Sequence, residues 1–150
     1  MKRSLCIFSF VLLCALVMFS SCASTSALEK NVEFSDFTME DDLTWLQGIW
    51  KLEKWETDNH SVKQDNTNIY KNQFLMINGN QKTSELIEMS ESSLDGSKSY
   101  NNYTVEDYFM LNSHESGHSN KVNESRTKLL LTREYALDPE VIFYFTYTKQ

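Results

Sequence analysis

The sequence predicts an all-β domain of antiparallel strands over residues 43–150. Beyond Gly48, apolar and aromatic runs of about four to eight residues recur between clusters of Asn, Ser, Asp and Gly, a pattern typical of short strands joined by turns. No segment of this region keeps a 3.6-residue apolar period over about twelve residues, so helix is expected to be a minor component. The pairs Asn78-Gly79 and Asp95-Gly96 supply the positive φ angles that tight chain reversals require.

Each predicted strand lies between such turn signals. The strands are expected at 49–57, 74–77, 86–89, 103–111, 128–135 and 141–148, with Pro139 between the last two. A weak capping pattern at 38–41, Thr-Met-Glu-Asp, predicts one short helical turn ahead of the first strand. Free sheet edges invite aggregation, and closure removes them, so a small up-and-down β-barrel is the preferred arrangement.

The first 21 residues have the pattern of a cleaved signal peptide. Lys2 and Arg3 form a short basic segment, and fifteen residues from Leu5 to Phe19 follow that are apolar except for Ser9. A membrane-spanning helix needs roughly 20 apolar residues, so this segment is too short to anchor the chain by itself. Cleavage is therefore predicted.

Residues 19–22, Phe-Ser-Ser-Cys, resemble the lipobox of bacterial lipoproteins, in which small residues precede a cysteine that is diacylated and becomes the new N-terminus. The other cysteines, Cys6 and Cys14, lie within the apolar segment, and none follows Cys22. The resemblance implies that Cys22 carries lipid such as palmitate, and two or more acyl chains hold a protein stably on a membrane. The alternative is an ordinary signal peptide that is cut a few residues later.

Composition narrows the partners of the mature chain. Removal of residues 1–21 leaves 12 basic and 21 acidic side chains, a net charge of about −9, and such a surface repels nucleic acid. Without a thiol after Cys22, neither disulfides nor cysteine-bound zinc stabilises the fold, so packing must do so. Residues 22–42 are mostly polar and are predicted to be the lipidated N-terminus and a flexible tether.

Residues 42–52, Asp-Leu-Thr-Trp-Leu-Gln-Gly-Ile-Trp-Lys-Leu, resemble the lipocalin signature, in the version found in short bacterial lipocalin-like lipoproteins. The resemblance implies an up-and-down β-barrel in which Gly48 allows a tight turn and Trp50 closes the base. It also implies an arginine that packs on this tryptophan, for which Arg126 and Arg133 are the candidates. An unrelated β-sandwich is the alternative fold.

One string matches a catalytic motif. Residues 114–118 read His-Glu-Ser-Gly-His, and in H-E-x-x-H enzymes the residues corresponding to His114 and His118 bind zinc while the one at Glu115 acts as a base. That motif needs a stable helix, whereas the Asn, Ser and Gly residues around it are poor helix formers. A polar loop is the preferred interpretation, and a zinc hydrolase is the remote alternative. No cofactor is expected.

The predicted function is binding rather than catalysis. The chain is expected to be a membrane-anchored envelope lipoprotein that takes a small apolar ligand in its barrel or an envelope protein on its loops. The alternative is a structural or interaction lipoprotein without a ligand. An enclosed apolar pocket of roughly 300 Å³ favours the first, and a solid interior with an exposed apolar patch favours the second. Ala23 is not acidic, so the outer membrane or the cell surface is expected by analogy.

Overall fold

The computed structural model describes residues 32–39, 41–110 and 119–150. This part of the chain contains nine strands, one α-helix and two 3₁₀ turns. The strands are β1 Phe34–Asp36, β2 Gly48–Asn59, β3 Val62–Asp65, β4 Tyr70–Asn78, β5 Glu85–Ser92, β6 Lys98–Thr104, β7 Ser119–Asn123, β8 Lys128–Tyr135 and β9 Asp138–Lys149. Helix α1 is Val105–Met110, and the 3₁₀ turns are Thr44–Leu46 and Thr67–Ile69.

All nine strands belong to one antiparallel sheet, so the prediction of an all-β antiparallel domain is confirmed. The hydrogen-bonded order is β1-β7-β8-β9-β2-β4-β5-β6, and β3 pairs with the end of β2. The first long strand therefore lies between the last strand and β4. Within the described ranges, β6 forms no ladder with β7 or β1, so the sheet is not closed into a barrel.

The inward-facing residues of strand β2 shift from even to odd positions along the strand. Trp50 and Leu52 are buried, and so is Thr57, which lies an odd number of residues further along. The register against β9 shifts between Leu52 and Lys54, and one extra residue in a strand reverses its alternation. The bulge thus allows Trp50 and Trp55 to pack on the same side of the sheet, which we call the core face; the opposite side is the outer face.

One continuous apolar cluster covers much of the core face. It is formed by side chains from six strands, from α1 and from the segment before β2: Met39, Leu43, Leu46, Trp50, Leu52, Leu75, Ile77, Leu86, Val105, Phe109, Val122, Leu129, Leu131 and Tyr147. Removing this apolar surface from water stabilises the fold by about 25 cal/mol for each Å² buried.

Gly48 and Trp50 form a tight junction at the start of β2. Gly48 has a φ of +123°, which L side chains rarely adopt. Trp50 is fully buried, and its Nε1 donates a hydrogen bond to the carbonyl oxygen of Leu46 at 2.8 Å. The 3₁₀ turn Thr44–Leu46 is the short helical turn that the sequence predicts before the first strand.

The prediction of a strand over 103–111 is wrong, because β6 ends at Thr104 and α1 follows. The Oγ1 atom of Thr104 accepts a hydrogen bond from the backbone N–H of Asp107 at 3.0 Å, which caps the helix. Val105 and Phe109, four residues apart, then bury on one side of the helix. The buried residues of this segment are therefore four positions apart, as in a helix, and not two apart, as in a strand.

The other five predicted strands are found, four of them with wider bounds. Pro139 lies near the start of β9 and not before it. Gly96 has a φ of +70° in the reversal between β5 and β6, as predicted. After Asn78 the reversal is longer than a two-residue turn, since β5 begins only at Glu85.

The folded unit begins earlier than residue 43. Ser35 in β1 pairs with Val122 in β7, and Met39 is buried. Phe37 packs edge-on against Trp45, with ring centroids 5.1 Å apart. The last part of the segment predicted to be tether therefore belongs to the domain.

Candidate functional site

The core face becomes polar toward one end of the sheet. In β4, Gln73 lies two residues before the buried Leu75, and in β5, Glu88 lies two residues after the buried Leu86. In β8, Arg133 comes next on the same side after the buried leucines. Alternate residues of a strand share a side, so these polar groups face the interior. We call them, with the hydroxyl groups of two tyrosines described next, the polar layer.

Glu88 is the acceptor at the centre of a hydrogen-bond network. Its Oε1 accepts from Nε2 of Gln73 at 3.1 Å and from the hydroxyl of Tyr108 at 3.3 Å. The same Nε2 donates to the hydroxyl oxygen of Tyr147 at 3.3 Å. The second carboxylate oxygen of Glu88, Oε2, accepts no hydrogen bond from the described residues.

Burial and the nearby carboxylate suppress ionisation of both tyrosines. Loss of solvation raises the pKa of Tyr108 and of Tyr147 well above the usual value, and the negative charge of Glu88 raises both further. The hydroxyl groups therefore stay protonated and can donate hydrogen bonds across the whole physiological pH range.

Arg133 is held against one wall of the polar layer. Its Nη1 donates to the carbonyl oxygens of Thr132 at 2.9 Å and Ser119 at 3.3 Å, and its Nη2 donates to Oδ1 of Asn120 at 2.9 Å. Burial lowers the pKa of its guanidinium, but arginine stays a cation at neutral pH. Much of its donor capacity is thus used within the protein.

A pocket of about 220 Å³ opens beside this network. Its wall is formed by Glu88, Tyr108, Leu131, Arg133, Glu134, Phe145 and Tyr147. The volume is about that of seven waters in the liquid. The pocket is partly open, has charged residues on its lining and is smaller than roughly 300 Å³. It is therefore not the enclosed apolar pocket expected from the sequence for an apolar ligand, and only a small molecule fits.

Aromatic rings extend from the pocket along the core face. Phe145 stacks on Trp55 with centroids 5.6 Å apart, and Trp55 stacks on Tyr70 at 5.8 Å. The pocket therefore has a flat apolar wall opposite its polar one.

Two buried polar atoms of core-face residues have no hydrogen-bond partner in the described part of the chain. They are Oε1 of Gln73, a residue that is only 7% exposed, and Nε1 of Trp55. Neither residue is among those that line the pocket.

A larger hollow on the outer face is less suited to binding. It has a volume of about 520 Å³ and is lined by the residues around the β2 bulge. The carboxylate there, Glu53, already accepts from Nζ of Lys128 at 2.8 Å and from Oγ1 of Thr148 at 2.6 Å. Lys128 holds the pKa of Glu53 below its usual value, so the charge is neutralised within the protein.

Cys22, His114, Glu115 and His118 lie outside the described residues. Among the residues that are described, no three His, Cys, Asp or Glu side chains form a group able to hold a metal ion, and no helix is long and apolar enough to cross a bilayer.

The two candidate arginines have different places. Arg126 lies over the ring of Trp45, with 5.5 Å from its Cζ to the centroid, and Arg133 belongs to the polar layer. The cation over Trp50 is Lys149, whose Nζ lies 5.4 Å from the ring centroid.

His60 is exposed, but its ring has two acidic partners. Its Nε2 lies 3.1 Å from Oδ2 of Asp138, and its Nδ1 is hydrogen-bonded to Glu140. This contact joins the β2–β3 reversal to the start of β9.

The sequence did not identify Gln73, Glu88 or Tyr108 as site residues. For Glu88 there was a signal, because it stands at the alternate position to Leu86 inside a predicted strand and so faces the core. Gln73 lies just before the predicted strand at 74–77, and Tyr108 was expected to lie in a strand. Neither position could therefore be assigned to the core face.

Comparison with known proteins finds no match for this chain. No protein-family model, no curated protein and no solved structure matches it. The resemblance to lipocalin-like lipoproteins therefore remains a prediction from the residues around Gly48 and Trp50.

Proposed function

We propose that this chain is a lipid-anchored envelope protein whose domain is a lipocalin-like barrel with a small-molecule site on its core face. The pocket beside Glu88 carries the proposal, because it combines a polar wall that includes a carboxylate with an aromatic wall. A ligand for it is small and has one polar end and one apolar end.

The strand order supports the barrel part of the proposal. β2 pairs with both β9 and β4, as a closed meander requires. The strand order ends at β6 on one side and at β1, beside β7, on the other. Helix α1, which directly follows β6, buries Val105 and Phe109, and the carbonyl oxygen of Phe109 accepts a hydrogen bond from Nδ2 of Asn120 in β7 at 2.9 Å. The helix thus lies where no strand ladder joins β6 to the other end of the sheet.

Benzyl alcohol tests the binding site. It should bind the full chain in detergent and change its tryptophan fluorescence, since Trp55 stacks on the pocket wall. Phe145→Ala should weaken this binding about tenfold or more, because it removes the apolar wall. Tyr144→Ala, at the next residue of the same strand, serves as the control. Equal losses in both variants would exclude a site on the core face.

The lipid anchor has a separate test. The mature protein should partition with detergent and carry the mass of fatty acids on Cys22. Cys22→Ser should move it to the aqueous fraction and remove that mass. An unchanged fraction and unchanged mass would show that the anchor does not exist.

A second candidate is an interaction lipoprotein without a ligand, and an apolar patch on the outer face favours it. Cross-strand neighbours there form two adjacent rows: Ile49, Met76 and Ile87, then Phe74, Met89 and Tyr100. Ile49 is 46% exposed and Tyr100 60% exposed. We infer a second copy of the chain as its occupant, because a two-fold contact sets such a patch against itself.

Sedimentation of the full chain in detergent tests this candidate. Dimers should form as concentration rises, and Met76→Lys should abolish them while the exposed Val62→Lys does not. A monomer at every concentration would rule out this contact.

A further inference from the structure

We infer that the pocket beside Glu88 selects a small organic cation, a molecule with a protonated amine at one end and a planar apolar group at the other. The inference rests on the proposed small-molecule site and names the chemistry of its ligand.

The charges around the pocket favour a cation. Of the charged groups on its lining, Glu88 keeps one carboxylate oxygen that accepts no hydrogen bond from the described residues, whereas the guanidinium of Arg133 is hydrogen-bonded within the protein. The guanidinium donates to Ser119, Thr132 and Asn120, which hold it on its own wall.

Glu88 is preorganised to receive an N–H donor. Its Oε1 is held by Gln73 and Tyr108, while its Oε2 accepts nothing from the described residues. A carboxylate fixed by one oxygen does not have to be reorganised to accept a hydrogen bond on the other. Charge-assisted hydrogen bonds of this kind are roughly twice as strong as neutral ones.

Gln73 holds the carboxylate in place. It is more than nine-tenths buried, and its Nε2 donates to both Glu88 and Tyr147. The acceptor without a partner on the pocket lining is Oε2 of Glu88, and an ammonium group, which has three donors and no acceptor, matches it.

The remaining wall also suits a cation with a flat apolar group. Phe145, Tyr108 and Tyr147 line the pocket, and the faces of aromatic rings attract cations when the charge is partly desolvated. Phe145 continues into the stack on Trp55, where a planar group finds apolar surface.

Three probes of the same size test the inference on the full chain in detergent: benzylamine, benzyl alcohol and benzoate. At neutral pH they present an ammonium, a hydroxyl and a carboxylate on one ring. Benzylamine should bind about 10- to 100-fold more tightly than benzyl alcohol, since hydrogen bonds to charged groups have that effect. Benzoate should bind most weakly.

The Glu88→Gln variant tests whether Glu88 is the residue that gives the preference for benzylamine. The amide keeps the size and an acceptor for Gln73 and Tyr108, so benzyl alcohol should bind as before while the preference for benzylamine disappears. Glu85→Gln, an exposed position on the same strand, is the matched control and should keep the preference.

The outcomes separate the two proposals. Tightest binding of benzoate, equal binding of the amine and the alcohol, or a preference that persists in Glu88→Gln would overturn the cation inference and leave the small-molecule site standing. If none of the three probes binds, the proposed site itself fails.

Discussion

The two ends of the core face differ in what they bury. At one end, around Trp50, Leu46 and Phe109, the side chains are apolar and fully buried, and we call it the apolar end. At the other end, the polar layer buries an amide, a guanidinium and two hydroxyls beside a carboxylate. Polar groups in such a place stabilise little and are costly when unpaired. The apolar end therefore stabilises the fold, and the polar end is available for recognition.

Replacing Trp50 should give the largest change in stability among the tests of this difference between the two ends. Trp50→Ala should lower the free energy of unfolding by about 3–5 kcal/mol, because it leaves a cavity in the apolar end and removes the hydrogen bond to Leu46. Urea unfolding measures it. The neighbouring Ile49→Ala, at an outer-face position that is 46% exposed, should cost no more than about 1 kcal/mol. Similar costs for the two would remove the distinction.

Tyr147 reaches across both ends, since its ring is in the apolar cluster and its hydroxyl in the polar layer. Tyr147→Phe should cost about 1–3 kcal/mol, because Gln73 loses an acceptor in a buried place. Chemical denaturation measures the loss, and Tyr144→Phe on the outer side of β9 should change stability by less than about 0.5 kcal/mol. A neutral Tyr147→Phe would mean that the network contributes nothing to folding.

Helix α1 connects the two ends, with Phe109 in the apolar cluster and Tyr108 in the polar layer. Thr104→Ala removes its capping hydrogen bond and should cost about 1 kcal/mol. Thr104→Ser should restore most of that loss in the same unfolding measurement. If serine is no better than alanine, the hydroxyl is not what caps the helix.

His60, beyond the polar end, gives the smallest expected effect. The hydrogen bond with Glu140 and then the charge of Asp138 raise its pKa above 6.5 in the folded protein. A raised pKa means that the contribution to stability is fully present below about pH 6.5 and is lost as the pH rises through the folded value. The thermal midpoint of wild type should therefore exceed that of His60→Gln at about pH 5.5 and approach it at about pH 8.5. A difference independent of pH would contradict the assignment.

Much of the fold could be predicted from local pattern. The strands with apolar and aromatic runs, such as β2, β8 and β9, were predictable because runs of this kind between clusters of turn residues are typical of strands. β3 was not, since all four of its residues are exposed and no apolar pattern marks it. Residues 105–110 were misassigned because Val, Tyr and Phe are also common in strands, and only the cap on Thr104 and the burial of Phe109 favour a helix.

The candidate site was harder to predict. Glu88 and Gln73 are ordinary polar residues in their local sequence, and they become a site because strand register sets them on the core face. The lipocalin resemblance makes Arg133 a candidate for packing on a tryptophan. In the structure, Lys149 and Arg126 are the residues that lie over tryptophan rings. Residues far apart in the chain form the pocket, so no spacing in the sequence announces it.

By itself the sequence determined the class of the domain and the junction at Gly48 and Trp50, because alternation, turn residues and a positive φ are local properties of the chain. It also carries the predicted lipidation signal at Cys22. Only the tertiary structure decided three features. A bulge reverses the alternation of inward and outward side chains in β2, helix α1 follows β6 in the chain before β7, and a carboxylate faces a pocket. These features depend on which strands pair and in which register, and that is set by burial of the whole core at once.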